Sequence, residues 1–295
     1  MAKIVNIGSL NLDYVYRVSH IVKPGETIHS ISREEFPGGK GLNQSIALAR
    51  AGADVYHAVT IGSDGGILRE ALLAAGVDLS YSKTVSSLSG HAVIQVDDQG
   101  QNAIIVHEGA NGFVDTAFID WVLGSFGPGD YVLLQNEVPN GPYIIEKANE
   151  LGIQVIFNPS PFPKDLERFP LDKVDYLMIN EIEGQQIAQK DEPNAMIEEL
   201  RARYPRMNIV LTMGANGAFV STPEQMLFEP AAKVKPVDTT SAGDTFTGFF
   251  IAELLRSNDI RRALKLANQA AGISVTRKGA SSSIPALEEV LPLIG

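Results

Sequence analysis

Residues 131–157 read YVLLQNEVPNGPYIIEKANELGIQVIF, and this stretch decides the fold. A continuous apolar run, Tyr131–Leu134, is followed by an amphipathic segment, Ile144–Leu151, that stops at Gly152; a second apolar run, Val155–Phe157, comes next. Unbroken apolar runs suit parallel strands covered on both faces, and a glycine just past the last periodic residue is a helix stop. Working outward, Tyr176–Ile179 and Ile209–Leu211 are further apolar runs, and Ile4–Ile7 is broken only by Asn6. Leu42–Ala51 is another amphipathic segment, closed by Gly52. This βα alternation predicts an α/β fold, a three-layer domain with a mostly parallel central sheet flanked by helices.

Two stretches break the alternation. Leu12–Glu35 carries β-branched and aromatic residues around a PGET turn, and residues 91–107 read HAVIQV-DDQGQN-AIIVH, two strands about a polar turn. Neither has a helix to cover it, so about 11–35 and 91–107 together are expected to form a small antiparallel β lid over a pocket. The last third is expected to be helical over Gly243–Leu255, Ile260–Val275 and Pro285–Leu291. With no repeat, low-complexity tract or long linker, residues 1–295 read as a single domain with the lid inserted.

Composition removes several functional classes. A net charge of −11 and the lack of a long basic run argue against nucleic acid. Zero cysteines exclude disulfides, thiolate catalysis and cysteine-based zinc sites. The opening residues read as a strand and turn without a signal peptide's apolar core, and no run reaches membrane-spanning length. The expectation is a cytoplasmic protein without a membrane partner.

Five motifs could carry chemistry. The stretch 237–248, VDTTSAGDTFTG, precedes an apolar helical pattern. A helix starting near Gly243 would present unpartnered N–H groups, at the positive end of its dipole, to a phosphoryl group. Asp244 beside them could accept a proton from an attacking hydroxyl, or it could be an ordinary N-cap. In FPGGKGLNQS (36–45), three glycines allow close backbone approach to a ligand, and Asn43 offers both donor and acceptor groups. A tight turn with a surface lysine is the alternative there, and the spacing is not that of a Walker A loop. GSLNLD (8–13) follows the first strand, so Asn11 and Asp13 could hold two hydroxyls or form an Asx turn. NEIE (180–183) and TMGANG (212–217) each follow an apolar strand and open on the same sheet edge.

Taken together and in order, these motifs resemble the ribokinase family of carbohydrate kinases over nearly the whole chain. The resemblance includes PGGKGLNQS, the lid hairpin, NEIE, TMGANG, VDTTSAGDTF and VTRKGASSSIP. It implies an ATP-dependent sugar kinase that phosphorylates the primary hydroxyl of a small sugar, D-ribose first and other pentoses, hexoses or nucleosides after it. A non-catalytic sugar-binding regulator on the same fold is the alternative from another class. The resemblance makes Asp244 the base and the N–H groups of Ala242 and Gly243 the anion hole. It places Asn11, Asp13, Gly39, Lys40, Gly41, Asn43 and Glu137 on the sugar side. Asn180, Thr212, Gly214, Gly217, Gly243 and Asn268 fall on the ATP side, with Glu183 at the position linked to Mg²⁺. A K⁺ site would take Asp238, Thr240, Ser274, Arg277, Gly279 and Ser283, and the unpaired lid edges imply a homodimer through the lid. Ile67, the aromatic Tyr14 and Tyr16, and Leu42 and Ser45 depart from the family's usual residues.

Overall fold

The computed structural model of the protein describes residues 2–294. Along the chain the strands are β1 (Ile4–Ile7), β2 (Asn11–Arg17), β3 (Ser32–Gly38), β4 (Val55–His57), β5 (Thr60–Ile61), β6 (Lys83–Thr84) and β7 (Gly90–Val96). They continue as β8 (Asn102–His107), β9 (Tyr131–Gln135), β10 (Gln154–Asn158), β11 (Tyr176–Asn180), β12 (Asn208–Thr212), β13 (Ala218–Ser221) and β14 (Met226–Glu229). The helices are α1 (Lys40–Arg50), α2 (Gly66–Ala74), α3 (Thr116–Leu123), α4 (Gly141–Glu150), α5 (Glu181–Ala188), α6 (Pro193–Arg203), α7 (Ala242–Ser257), α8 (Ile260–Ser274) and α9 (Leu287–Val290).

The central sheet has eight strands in the order β14-β13-β12-β11-β10-β9-β1-β4. The six from β12 to β4 are parallel, and β13 and β14 add an antiparallel edge. Val132, Leu133 and Leu134 of β9 are all fully buried, as a strand covered on both faces requires. The segment that opened the sequence reading is therefore β9-α4-β10. Among the described residues no helix is long and apolar enough to cross a membrane.

The second sheet runs β3-β2-β7-β8. It consists of two antiparallel pairs, β2–β3 and β7–β8, joined by parallel pairing of β2 with β7 from Asn11↔Gly90 to Arg17↔Val96. Residues 18–31, between β2 and β3, form no strand and make their turn at Pro24-Gly25. The tail expected to be helical over Pro285–Leu291 is an α-helix only at Leu287–Val290. Ala286 is still extended, and a 3₁₀ turn carrying Pro292, which has no N–H to continue a helix, follows.

Two close approaches bring the functional loops together. A Cβ on Gly41 would lie 2.7 Å from the Gly8 Cα, so only glycine lets α1 start against the end of β1. Two turns further along α1, a Cβ on Gly248 would lie 2.7 Å from the Leu48 nitrogen, which fixes α7 tightly against α1. Helix α1 is thus clamped between the β1 loop and the helix that carries Asp244.

Candidate active site

Helix α7 opens at Ser241, which adopts the left-handed conformation at φ 56° and makes no side-chain cap. A non-glycine residue there is strained, and its hydroxyl is tied to the Ala280 carbonyl at 3.0 Å. Ala242 and Gly243 form the first turn and line a cavity of about 330 Å³ together with Asp244 and Thr212. Intrahelical geometry leaves the N–H groups of that turn without i−4 acceptors, although Ala242 donates weakly to the Thr239 carbonyl at 3.3 Å.

Asp244 is buried, and its carboxylate does not cap its own helix. Oδ2 accepts from Asn43 Nδ2 at 3.2 Å and Oδ1 from Gln44 Nε2 at 2.9 Å. Both donors stand on the first turns of α1, so the glycine-rich loop and the TSAGD turn are one assembly. The Oδ1 of Asn43 is buried without a hydrogen-bond partner, an acceptor beside the carboxylate that suits a hydroxyl donor. The Lys40 side chain lines the same cavity, and the charge of Asp244, followed by those of Glu137 and Glu183, raises its pKa against the opposing effect of burial. Lys40 is thus an ammonium inside the site. Its backbone N–H donates to Glu137 at 2.9 Å.

Beneath the second sheet lies a cavity of about 350 Å³ lined by Asn11, Asn111, Glu137 and Val106 of β8. Asn11 and Asp13 are strand residues of β2 two positions apart, so neither forms an Asx turn. Asn111 donates to Asn11 Oδ1 at 2.9 Å and accepts from the Leu10 N–H at 3.0 Å. Burial, and then the charge of Glu137, push Asp13 up to about 7. Glu137 is itself raised by burial, with hydrogen bonds from the Ser9 hydroxyl and the Lys40 N–H pulling the other way. Gly39, at φ 94°, turns the chain directly from β3 into α1.

On the opposite side of the Gly243 turn, a mainly apolar cavity of about 260 Å³ is lined by Gly214, Gly217, Phe246 and Asn268. Thr212 and Gly214 face both this cavity and the one at Asp244. Asn180 and Glu183 line the latter and form the capping box of α5, Glu183 Oε2 accepting from the Asn180 N–H at 3.0 Å. Burial raises the Glu183 carboxyl.

Among the residues anticipated for a monovalent cation, Asp238, Thr240 and Gly279 come together: Asp238 accepts from the Thr240 hydroxyl at 2.6 Å and from the Gly279 N–H at 3.0 Å. Burial would raise the Asp238 carboxyl, yet these hydrogen bonds outweigh it and leave it below the ordinary value. The hydroxyls of Ser274 and Ser283 bond to the Ala271 and Ala280 carbonyls, and the Arg277 guanidinium pairs outward with Glu289. Ser9, Gln44, Asn111 and Gln135 were not anticipated. Ser9, Gln44 and Gln135 could have been found from their neighbours, Asn11 in GSLNLD, Asn43 in LNQ and Glu137 in QNE, whereas Asn111 has no comparable signal.

The chain matches the pfkB family carbohydrate kinases over residues 1–287. It is 36% identical over 300 residues to a ribokinase of Staphylococcus aureus (strain COL), covering 98% of each chain. Its fold superposes on a ribokinase from Thermotoga maritima with a TM-score of 0.88, 35% identity and coverage of 100% and 99%. A ribokinase of Arabidopsis thaliana complexed with ribose and ATP gives 0.87 and 28% identity, with coverage of 100% and 99%.

Proposed function

The chain belongs to the pfkB family of carbohydrate kinases, and on that footing we propose that it transfers the γ-phosphate of ATP to the primary hydroxyl of D-ribose. The observation that carries this reading is the position of Asp244, held by two side-chain amides at the first turn of α7, on the wall of the cavity that turn lines. Support for ribose comes from the ribokinase relatives, one of them complexed with ribose and ATP, and from the polar side chains of Asn11, Asn111 and Glu137 on one cavity wall.

In this reading the sugar lies under the lid, with its hydroxyls on Asn11, Asp13 and Glu137 and its attacking oxygen between Asp244 and Asn43. Asp244 takes the hydroxyl proton as the oxygen approaches the γ-phosphorus. The N–H groups at the start of α7 and the Lys40 ammonium stabilise charge on the transferring group. The apolar cavity at Phe246 and Asn268 takes the base of ATP. Mg²⁺ would neutralise phosphate charge, and Glu183, a carboxylate on the cavity wall besides Asp244, fits a metal held mainly by phosphates and water. The oxygens around Asp238 and the Ala280 carbonyl fit a hard cation such as K⁺, which would brace the loop presenting the anion hole. The lid edge β8, exposed at Ile104, Ile105 and Val106, supports a homodimer through the lid.

A coupled ADP-release assay with Mg²⁺, K⁺ and a panel of sugars and nucleosides tests the reading. D-ribose is expected to give the highest kcat/KM, and Asp244→Asn to lower kcat by about 10²–10⁴-fold with substrate binding retained. Wild-type turnover in Asp244→Asn would remove the base assignment. A better sugar would move the substrate, and silence across the panel with ATP bound would favour a sugar-binding regulator.

A further inference from the structure

Behind Asp244 lies a buried chain of amides that the reaction as described does not use. Gln44 donates both N–H bonds of Nε2, one to Asp244 Oδ1 at 2.9 Å and one to Asn158 Oδ1 at 3.0 Å. Its Oε1 accepts from Gln135 Nε2 at 2.7 Å, and Gln135 Nε2 also donates to Asn6 Oδ1 at 3.1 Å. Asn6 Nδ2 in turn donates to the Gly41 carbonyl and to Ser45 Oγ, both at 2.8 Å. Asn6, Gln44, Ser45 and Gln135 are all at least 99% buried.

A side-chain amide can be placed either way round, and what it faces decides which way. Here both ends of the chain terminate on main-chain carbonyls, which can only accept. The Gly41 carbonyl forces Asn6 to present Nδ2 to it and Oδ1 to Gln135. Gln135 must then offer Nε2 to Asn6 and to Gln44, and it leaves its own Oε1 unpaired to do so. At the other end the Met178 carbonyl takes Asn158 Nδ2 at 2.8 Å, which turns Asn158 Oδ1 towards Gln44. One orientation of Gln44 satisfies both constraints, and it is the one that gives an N–H to Asp244.

We infer that Asn6 and Gln135 are positioning residues for the base: they fix the Gln44 amide so that it donates to Asp244 Oδ1 and holds that carboxylate in its reactive rotamer. The inference rests on Asp244 being the base. Without the donor at Gln135, Gln44 Oε1 is left buried and unpaired, the amide loses the anchor on the side away from Asp244 and Asn158, and its hydrogen bond to the carboxylate is weakened or lost. Hydrogen bonds to charged groups are worth enough that losing one lowers kcat by about 10–100-fold. Neither Asn6 nor Gln135 lines any of the three cavities, so the KM values for sugar and ATP are expected to stay within about threefold.

The test is steady-state kinetics on Gln135→Met, alone and combined with Asp244→Asn, with thermal unfolding to confirm a folded enzyme. The expected result is the kcat loss in the first variant and no further loss in the double variant, because the relay then has no base to hold. Unchanged kcat in Gln135→Met, a loss confined to KM, or the same factor lost again on top of Asp244→Asn would each overturn the inference. Should Gln135→Met fail to fold, Gln44→Met, which removes the final donor, undergoes the same comparison with the same outcomes. Full activity in Asp244→Asn alone would instead remove the function proposed above, so the two failures are distinguishable.

Discussion

Replacing Gly41 with alanine tests whether the clamp on α1 sets the geometry of the site. The added Cβ would meet the Gly8 Cα at 2.7 Å, whereas ordinary van der Waals contact begins at 3.4 Å. The start of α1 must therefore move by roughly 0.7 Å or more to relieve the clash. It has little room, because at Gly248 α7 already stands as close to α1 as two backbones allow. Overpacking of this kind costs about 1–3 kcal/mol, which for a chain of this size lowers Tm by roughly 2–5 °C. The functional cost is larger. Asn43 and Gln44 ride on the displaced turns, and their bonds to Asp244, at 3.2 and 2.9 Å, lengthen beyond good hydrogen-bond range. A misplacement on the order of 1 Å can cost about 10²-fold in rate, so kcat should fall by that order. The assay is ADP release at saturating sugar and ATP, with calorimetry on the same preparation. A Gly41→Ala enzyme with wild-type kcat and a Tm within about 1 °C would refute the argument.

Three other outcomes are expected. Because Asp13 titrates at about 7 when folded and near 4 when unfolded, it carries no penalty below pH 4; stability is lost as pH rises from about 4 through 7, then levels off. Asp13→Asn should flatten that part of a Tm-against-pH series, and an unchanged slope would reject the assignment. Glu253 is buried without solvent contact between Arg256 and Arg262, so replacing both arginines with methionine should cost about 3 kcal/mol in denaturant unfolding. A change under about 1 kcal/mol would mean that the carboxyl finds another partner. Ile104→Lys, on the exposed strand β8, should convert a dimer to monomer in light scattering at micromolar concentration, and a wild-type monomer would end the lid-dimer proposal.

The sequence carried the layers of the fold because each central strand announces itself locally. Ile4–Ile7 is a strand over those same residues, and the other four apolar runs lengthen only by one or two polar residues at their ends, such as Gln135 and Thr212. What could not be read is what depends on distant pairing. The parallel join of β2 to β7 links segments nearly eighty residues apart, whereas the edge hairpin β13–β14, paired from Ser221↔Met226, is local, and its short runs Ala218–Val220 and Met226–Phe228 could have been read. The motifs for the site were legible from their glycines and from Asp244. Their mutual contacts were not: Asn43 and Gln44 meet a carboxylate 201 and 200 positions away. Nor does the sequence show that Lys40 lines one cavity with Asp244, whose charge acts on its ammonium.

The junction between β3 and α1 has a mechanical meaning. Strand β3 ends at Gly38 and α1 begins at Lys40, so a single residue, Gly39, separates the cover of one cavity from the helix that holds the Asp244 carboxylate. The cover has no long linker there to absorb displacement. On the proposed function, a rigid-body swing of the second sheet would reach the amides of Asn43 and Gln44 as a torque about Gly39, and shutting the pocket and squaring the carboxylate would be one stroke. Changes in the cover far from any ligand would then be felt in the timing of turnover as well as in affinity.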